Sequence, residues 1–154
     1  MTKVYLASDH GGFDLKEQLS SFLREAGYPL EDLGVEAARS VDYPVYAKEL
    51  AMKVRSEEGA LGILVCGTGL GMSMSANKVP GIRAAVCNDV YSAEMARRHN
   101  DANVLCLGGR VLGDELAKII AKTFLSTGFD GGRHERRVEL IRLLEAGDYE
   151  KLSK

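Results

Sequence analysis

Short apolar runs alternate along this chain with longer segments of helical periodicity, and that alternation restricts the fold more than any other feature of the sequence. Runs at 3–8, 60–66, 82–87 and 103–108, with a weaker one at 28–33, read as strands buried on both faces. Between them Leu15, Leu19, Phe22, Leu23 and Ala26 recur at spacings of three and four, and Gly27 follows where a helix C-cap is expected. Similar patterns cover 45–54, 90–99, 116–125 and 138–144, and a short helix is expected at 70–77, opening directly after a glycine turn. A β-α-β-α order predicts an α/β fold. We expect a three-layer α/β/α sandwich around a mainly parallel, five-stranded, Rossmann-like sheet with right-handed crossovers.

No repeat, linker or low-complexity tract interrupts the 154 residues, so a single domain spanning 1–154 is expected. Residues 148–154 read as a polar tail or as an extension of a contact between subunits. A net charge of −2 gives no general attraction to nucleic acid or to anionic lipid, so any anion site must be local. The apolar runs are too short for a membrane span or a signal-peptide core, and a cytoplasmic protein is expected. Three cysteines at 66, 87 and 106 fit neither a disulfide framework nor paired zinc ligands, and are expected to be reduced thiols.

In open parallel sheets ligands bind beyond the carboxyl ends of the strands. There the sequence places Ser8-Asp9-His10-Gly11-Gly12, Cys66-Gly67-Thr68-Gly69-Leu70-Gly71, Asn88-Asp89 and Gly108-Gly109-Arg110. Three glycines within five residues let main-chain N–H groups turn inward at a helix start, an arrangement that holds negative charge. The turn is not a Walker A loop, and it misses the dinucleotide fingerprint where Met72 or Met74 stands, although Asp89 keeps a weak nucleotide reading open. Cys66 immediately precedes those N–H groups, which favour a thiolate able to act as base or as nucleophile. Cys87 and Cys106 read as small buried hydrophobes.

A nucleophilic cysteine hydrolase wants a histidine oriented by Asn or Asp, and His99 with Asn100 nominally supplies one. His99, however, ends a helix and is expected near the opposite rim of its own sheet. If it serves the strand C-termini, the easiest geometry brings it from a second subunit across a two-fold axis. Arg133 and Arg137 stand one helical turn apart, and two such guanidinium groups suit a phosphate or form a solvated charge cluster. Asp9, His10 and Tyr43 are either site groups or turn and packing residues.

Taken together, Asp9-His10-Gly11-Gly12, Asp42-Tyr43-Pro44, Cys66-Gly67-Thr68-Gly69-Leu70-Gly71, Ala76-Asn77-Lys78, Gly81-Ile82-Arg83, Arg98-His99-Asn100-Asp101, Gly109-Arg110 and Gly131-Gly132-Arg133-His134 resemble the ribose-5-phosphate isomerase type B family, to about Gly147. The wider family includes galactose-6-phosphate and allose-6-phosphate isomerases. The resemblance implies an aldose–ketose isomerase of the pentose phosphate pathway, without cofactor or metal, acting on a phosphorylated sugar. It implies Cys66 as the base that moves a proton between C1 and C2, since Met72 stands where another branch carries a glutamate. It further implies that main-chain groups of Gly67, Thr68, Gly69, Leu70 and Gly71 bind the enediolate, that Thr68 relays a proton, and that His99 with Asp9 assists ring opening. His10, Arg133 and Arg137 are implied for the phosphate, Tyr43 for the substrate pocket, and Asn100 and Arg110 for contacts from a partner subunit of a homodimer, or of a tetramer built from it. The rivals are a six-carbon sugar phosphate isomerase and a non-catalytic nucleotide- or phosphate-binding module.

Overall fold

The computed structural model describes residues 1–154. Five strands, β1 Val4–Ser8, β2 Leu30–Asp32, β3 Leu61–Cys66, β4 Ala84–Val86 and β5 Val104–Gly108, form one sheet in the order β2-β1-β3-β5-β4, with every pairing parallel. Six helices connect and flank them: α1 Phe13–Glu25, α2 Tyr43–Ser56, α3 Leu70–Ala76, α4 Val90–Arg98, α5 Asp114–Ser126 and α6 Arg133–Glu145. Two 3-10 turns, His10–Gly12 and Tyr149–Leu152, complete the elements.

The sheet separates two apolar cores, as a three-layer fold requires. On one face Val4, Leu6, Ile63, Leu105 and Leu107 pack against Leu19 and Leu23 of α1, Ala93 and Ala96 of α4, and Ile120 and Phe124 of α5. On the other Tyr5, Ala7, Leu64 and Cys106 meet Leu50 and Val54 of α2 and Met72 and Ala76 of α3. The central strands β1, β3 and β5 are buried throughout, whereas β2 and β4 are edge strands of three half-buried residues each. Neither the run at 82–87 nor the weaker one at 28–33 is therefore a strand buried on both faces. Of the run at 82–87 only Ala84–Val86 form the strand, and they pair on one side alone because β4 lies at the sheet edge beside β5. Helix α1 ends as its sequence predicts: Gly27 takes φ +89, and the Tyr28 N–H returns to the Leu23 carbonyl at 3.0 Å.

The chain leaves β1 toward β2 on one side and β3 toward β4, past the place of β5, on the other, so the strand order reverses between β1 and β3. That reversal opens a crevice at their carboxyl ends. Three main chains crowd into it. A Cβ added to Gly12 would lie 2.4 Å from the Val65 carbonyl oxygen, and one on Gly109 would lie 2.8 Å from the Gly11 carbonyl oxygen. We expect Gly12→Ala to cost about 1–3 kcal/mol of stability, because strand backbone must move to admit the methyl group. Urea denaturation of the two proteins measures this, and an unchanged midpoint would contradict the crowding argument.

Candidate active site

Asp9 follows β1 and is nearly buried. Its Oδ1 accepts the Gly12 N–H at 3.1 Å, and its own N–H donates to the Val65 carbonyl at 3.2 Å, which ties the 3-10 turn to β3. His10 is exposed at the mouth of the crevice, where its Nδ1 accepts the Val41 N–H at 3.4 Å. Across the crevice β3 ends in Cys66, 5% exposed, and the Gly69 N–H donates to Cys66 Sγ at 3.1 Å. Gly69 takes φ +82, a conformation glycine adopts without strain, and it turns that N–H back onto the sulfur. A donor aimed at sulfur stabilises negative charge there. The Leu70 N–H donates to Thr68 Oγ1 at 3.3 Å, and the N–H groups of Gly71 and Met72 are the remaining donors of the first helical turn.

Side chains close the rest of the crevice. The Tyr43 ring, at the start of α2, lies against Gly71, where an added Cβ would sit 2.7 Å from the ring carbons. Arg110 bonds through its N–H to the Gly67 carbonyl at 3.0 Å and lays its guanidinium over Gly67, with an added Cβ 3.1 Å from Nη1. Arg83, Arg97, Arg98 and Arg142 are all held in ion pairs, whereas Arg110 is free for an anion. Met72 is fully buried and faces the core rather than the crevice.

The other implied residues lie elsewhere. Cys66 pairs with Gly108 at the end of β5, while α4 runs back so that His99, its C-cap, lies five residues before β5 begins. Four residues of strand rise, about 13 Å, separate the two levels. Asn100 shares the His99 end, and α5 returns the chain there as well, so Arg133 and Arg137 open α6 on that side. The His99 ring stacks on His134 with centroids 4.1 Å apart and planes 10° apart, and Asp130 lies beside them. The structure thus assembles Asp9, His10, Tyr43, Cys66, residues 67–71 and Arg110 at one rim, and His99, Asn100, Arg133 and Arg137 at the other. Arg110 belongs with Cys66 on its own chain, not with Asn100, because it follows the strand end that pairs with Cys66. His134 stood in a quoted motif but carried no site role in the sequence reading, since a stack between two helices 35 residues apart leaves no local signal.

A family model described as Ribose/Galactose Isomerase matches residues 4–141. The chain belongs to that family. It is 47% identical over 145 residues to the ribose-5-phosphate isomerase B of Escherichia coli K12, covering 94% of this chain and 97% of the relative. It is 48% identical over 150 residues to a putative sugar phosphate isomerase of Bacillus subtilis, covering 97% of both. Among solved structures, the Clostridium thermocellum ribose-5-phosphate isomerase B superposes with a TM-score of 0.93 at 50% identity, covering 96% of this chain and 99% of that one. The Trypanosoma brucei type B enzyme superposes at 0.89 and 48% identity, covering 94% and 99%. Family membership makes the protein an isomerase and excludes the hydrolase and the non-catalytic module.

The three thiols separate by environment. Burial pushes the Cys87 thiol up to about 11, with Asp89 adding to it, and pushes the Cys106 thiol well above its ordinary value. A raised thiol is neutral throughout the physiological range and so unreactive. We expect alkylation of the folded protein at pH 8 to label Cys66 first, with Cys87 and Cys106 labelled only on unfolding, as peptide mass spectrometry can read. Equal labelling of Cys106 in the folded state would contradict this.

Proposed function

We propose that the protein interconverts ribose 5-phosphate and ribulose 5-phosphate in the cytoplasm, with Cys66 as the base and two subunits completing each site. The observation that carries the reading is the Gly69 N–H on Cys66 Sγ, set in the β1/β3 crevice beside a free Arg110 guanidinium. Removal of the C2 proton of the open aldose by the Cys66 thiolate leaves an enediolate charged on O1. Main-chain donors of residues 67–71 stabilise that charge, which exists only as the proton leaves, so they lower the barrier more than they tighten substrate binding. Cys66 returns the proton to C1, and the Thr68 hydroxyl passes the O2 proton to O1. Base, relay and anion hole come from the chain itself.

Ring opening needs an acid, and the reading assigns it to the partner subunit's His99 acting with Asp9. Arg133 and Arg137 of the partner then join His10 and Arg110 around the phosphate. Two features support a homodimer. The chemistry is split between rims that no movement within one chain unites, and α6 buries none of its residues, leaving Ile141 41% and Leu144 46% exposed. Leu70, Met74 and Tyr91 are further exposed apolar side chains. A cytoplasmic setting agrees with reduced cysteines, and no helix is long and apolar enough to cross a membrane.

Turnover of ribose 5-phosphate by Cys66→Ala is expected to fall about 10²–10⁴-fold, with phosphate binding retained. A loss of only a few-fold would remove Cys66 as the base. Activity is expected to survive excess EDTA, and abolition by the chelator would overturn the metal-free mechanism. Ile141→Asp with Leu144→Asp is expected to give an inactive monomer with Cys66 intact; sedimentation and turnover together read it, and an active monomer would remove the shared site.

A further inference from the structure

The stack of His99 on His134 is not used by the mechanism above, and its construction points to a role. We propose that His134 is a positioning residue: its imidazole is the platform that holds the His99 ring in the orientation needed for ring opening. This rests on the reading of His99 as the ring-opening acid.

Parallel rings 4.1 Å apart are in full face contact. His99 needs such a contact, because it caps the C-terminus of α4, where only its main-chain N–H is anchored, to the Met95 carbonyl at 2.8 Å. A half-exposed imidazole on a helix end otherwise samples several rotamers. His134 is well placed to supply order. It lies in the first turn of α6, its N–H bonded to the Gly131 carbonyl at 3.1 Å, after Gly131 and Gly132 have both taken positive φ. The same loop is clamped to α4: the Asp130 N–H donates to the Arg98 carbonyl at 3.0 Å, and Arg98 Nε reaches both Asp130 oxygens at 3.1 and 3.2 Å. One clamp therefore fixes both rings relative to each other.

Desolvation first, then His99, Arg133 and Arg137, hold the His134 imidazole below its ordinary value, with Asp130 opposing them. That direction favours the neutral imidazole of His134 as the face presented to His99. A metal site is the competing use, since His99, Asp130 and His134 each bring one donor atom within 4.8 Å of the others. Three facts disfavour it. Arg98 engages both carboxylate oxygens, Arg133 and Arg137 make the surroundings cationic, and parallel rings direct their in-plane lone pairs side by side rather than at one point.

Two assays separate the steps. Isomerisation of ribose 5-phosphate requires ring opening, whereas exchange of the C1 proton of ribulose 5-phosphate with D2O does not, because a ketopentose with a phosphorylated O5 cannot close a furanose. Proton NMR follows both, at matched dimer content. His134→Ala is expected to lower kcat for ribose 5-phosphate about tenfold or more, while C1 exchange stays within about two-fold. His134→Phe, which keeps a flat ring, is expected to stay within a few-fold of the native protein in both. Equal loss of exchange and isomerisation, a change in KM alone, or a Phe variant no better than Ala would each overturn the platform role. Failure of the underlying reading looks different: His99→Ala would then isomerise ribose 5-phosphate as fast as the native protein.

Discussion

Main chains from three strand ends must pass within van der Waals reach of one another at the β1/β3 reversal, and the rest of the molecule accommodates that crowding. A side chain at Gly12 would displace the backbone of β3, and one at Gly109 would displace the turn at Gly11. The gain is density of donors and acceptors in a small volume: the Asp9 carboxylate, the Cys66 sulfur, the Gly69 N–H and the Arg110 guanidinium all border one crevice. Glycine is destabilising in regular elements but permits close approach where backbones meet. The buried strands β1, β3 and β5 supply the rigidity that keeps so crowded a set of loops in one arrangement.

The sheet that builds this crevice also limits it. A parallel sheet sends every crossover helix back to the opposite rim, so side chains at helix C-termini are about one strand length from the crevice. His99, Arg133 and Arg137 lie at that rim, as do the His99–His134 ring stack and the Arg98–Asp130 ion pair. A chain of this topology cannot bring a helix-terminal acid to its own strand-end base. In the proposed homodimer a second chain would supply that acid, which would make catalysis depend on assembly by mass action.

Much of this was legible in the sequence because it rests on local pattern. Helical periodicity located all six helices and short apolar runs located all five strands, and the glycine turn singled out Cys66. The expectation that His99 lies at the far rim came from topology alone, since β-α alternation fixes which end of a helix faces which end of the sheet. Pairing partners are not local. The edge status of β4 depends on its pairing with β5 alone, and the side of the site to which Arg110 belongs depends on the Cys66–Gly108 register. His134 and Asp130 gain their surroundings from helices distant in sequence, so nothing near them in the chain announces it.

The clearest case of position overriding residue type is the pair Cys66 and Cys106. Both point to the same face of the sheet, on adjacent strands, and Cys106 stands opposite Leu64, two residues short of the strand end that Cys66 occupies. At Cys106 every surrounding group is apolar or already bonded, the sulfur is fully buried, and the charged form is heavily disfavoured. Two residues on, the sheet stops, the chain turns through Gly69, and a main-chain N–H meets the sulfur. Burial alone would leave both thiols inert; what distinguishes Cys66 is the end of the strand, where main-chain donors no longer needed by the ladder turn toward the side chain. A cysteine becomes a candidate base here through the termination of β3, and moving it one pleat back along the strand would return it to the core.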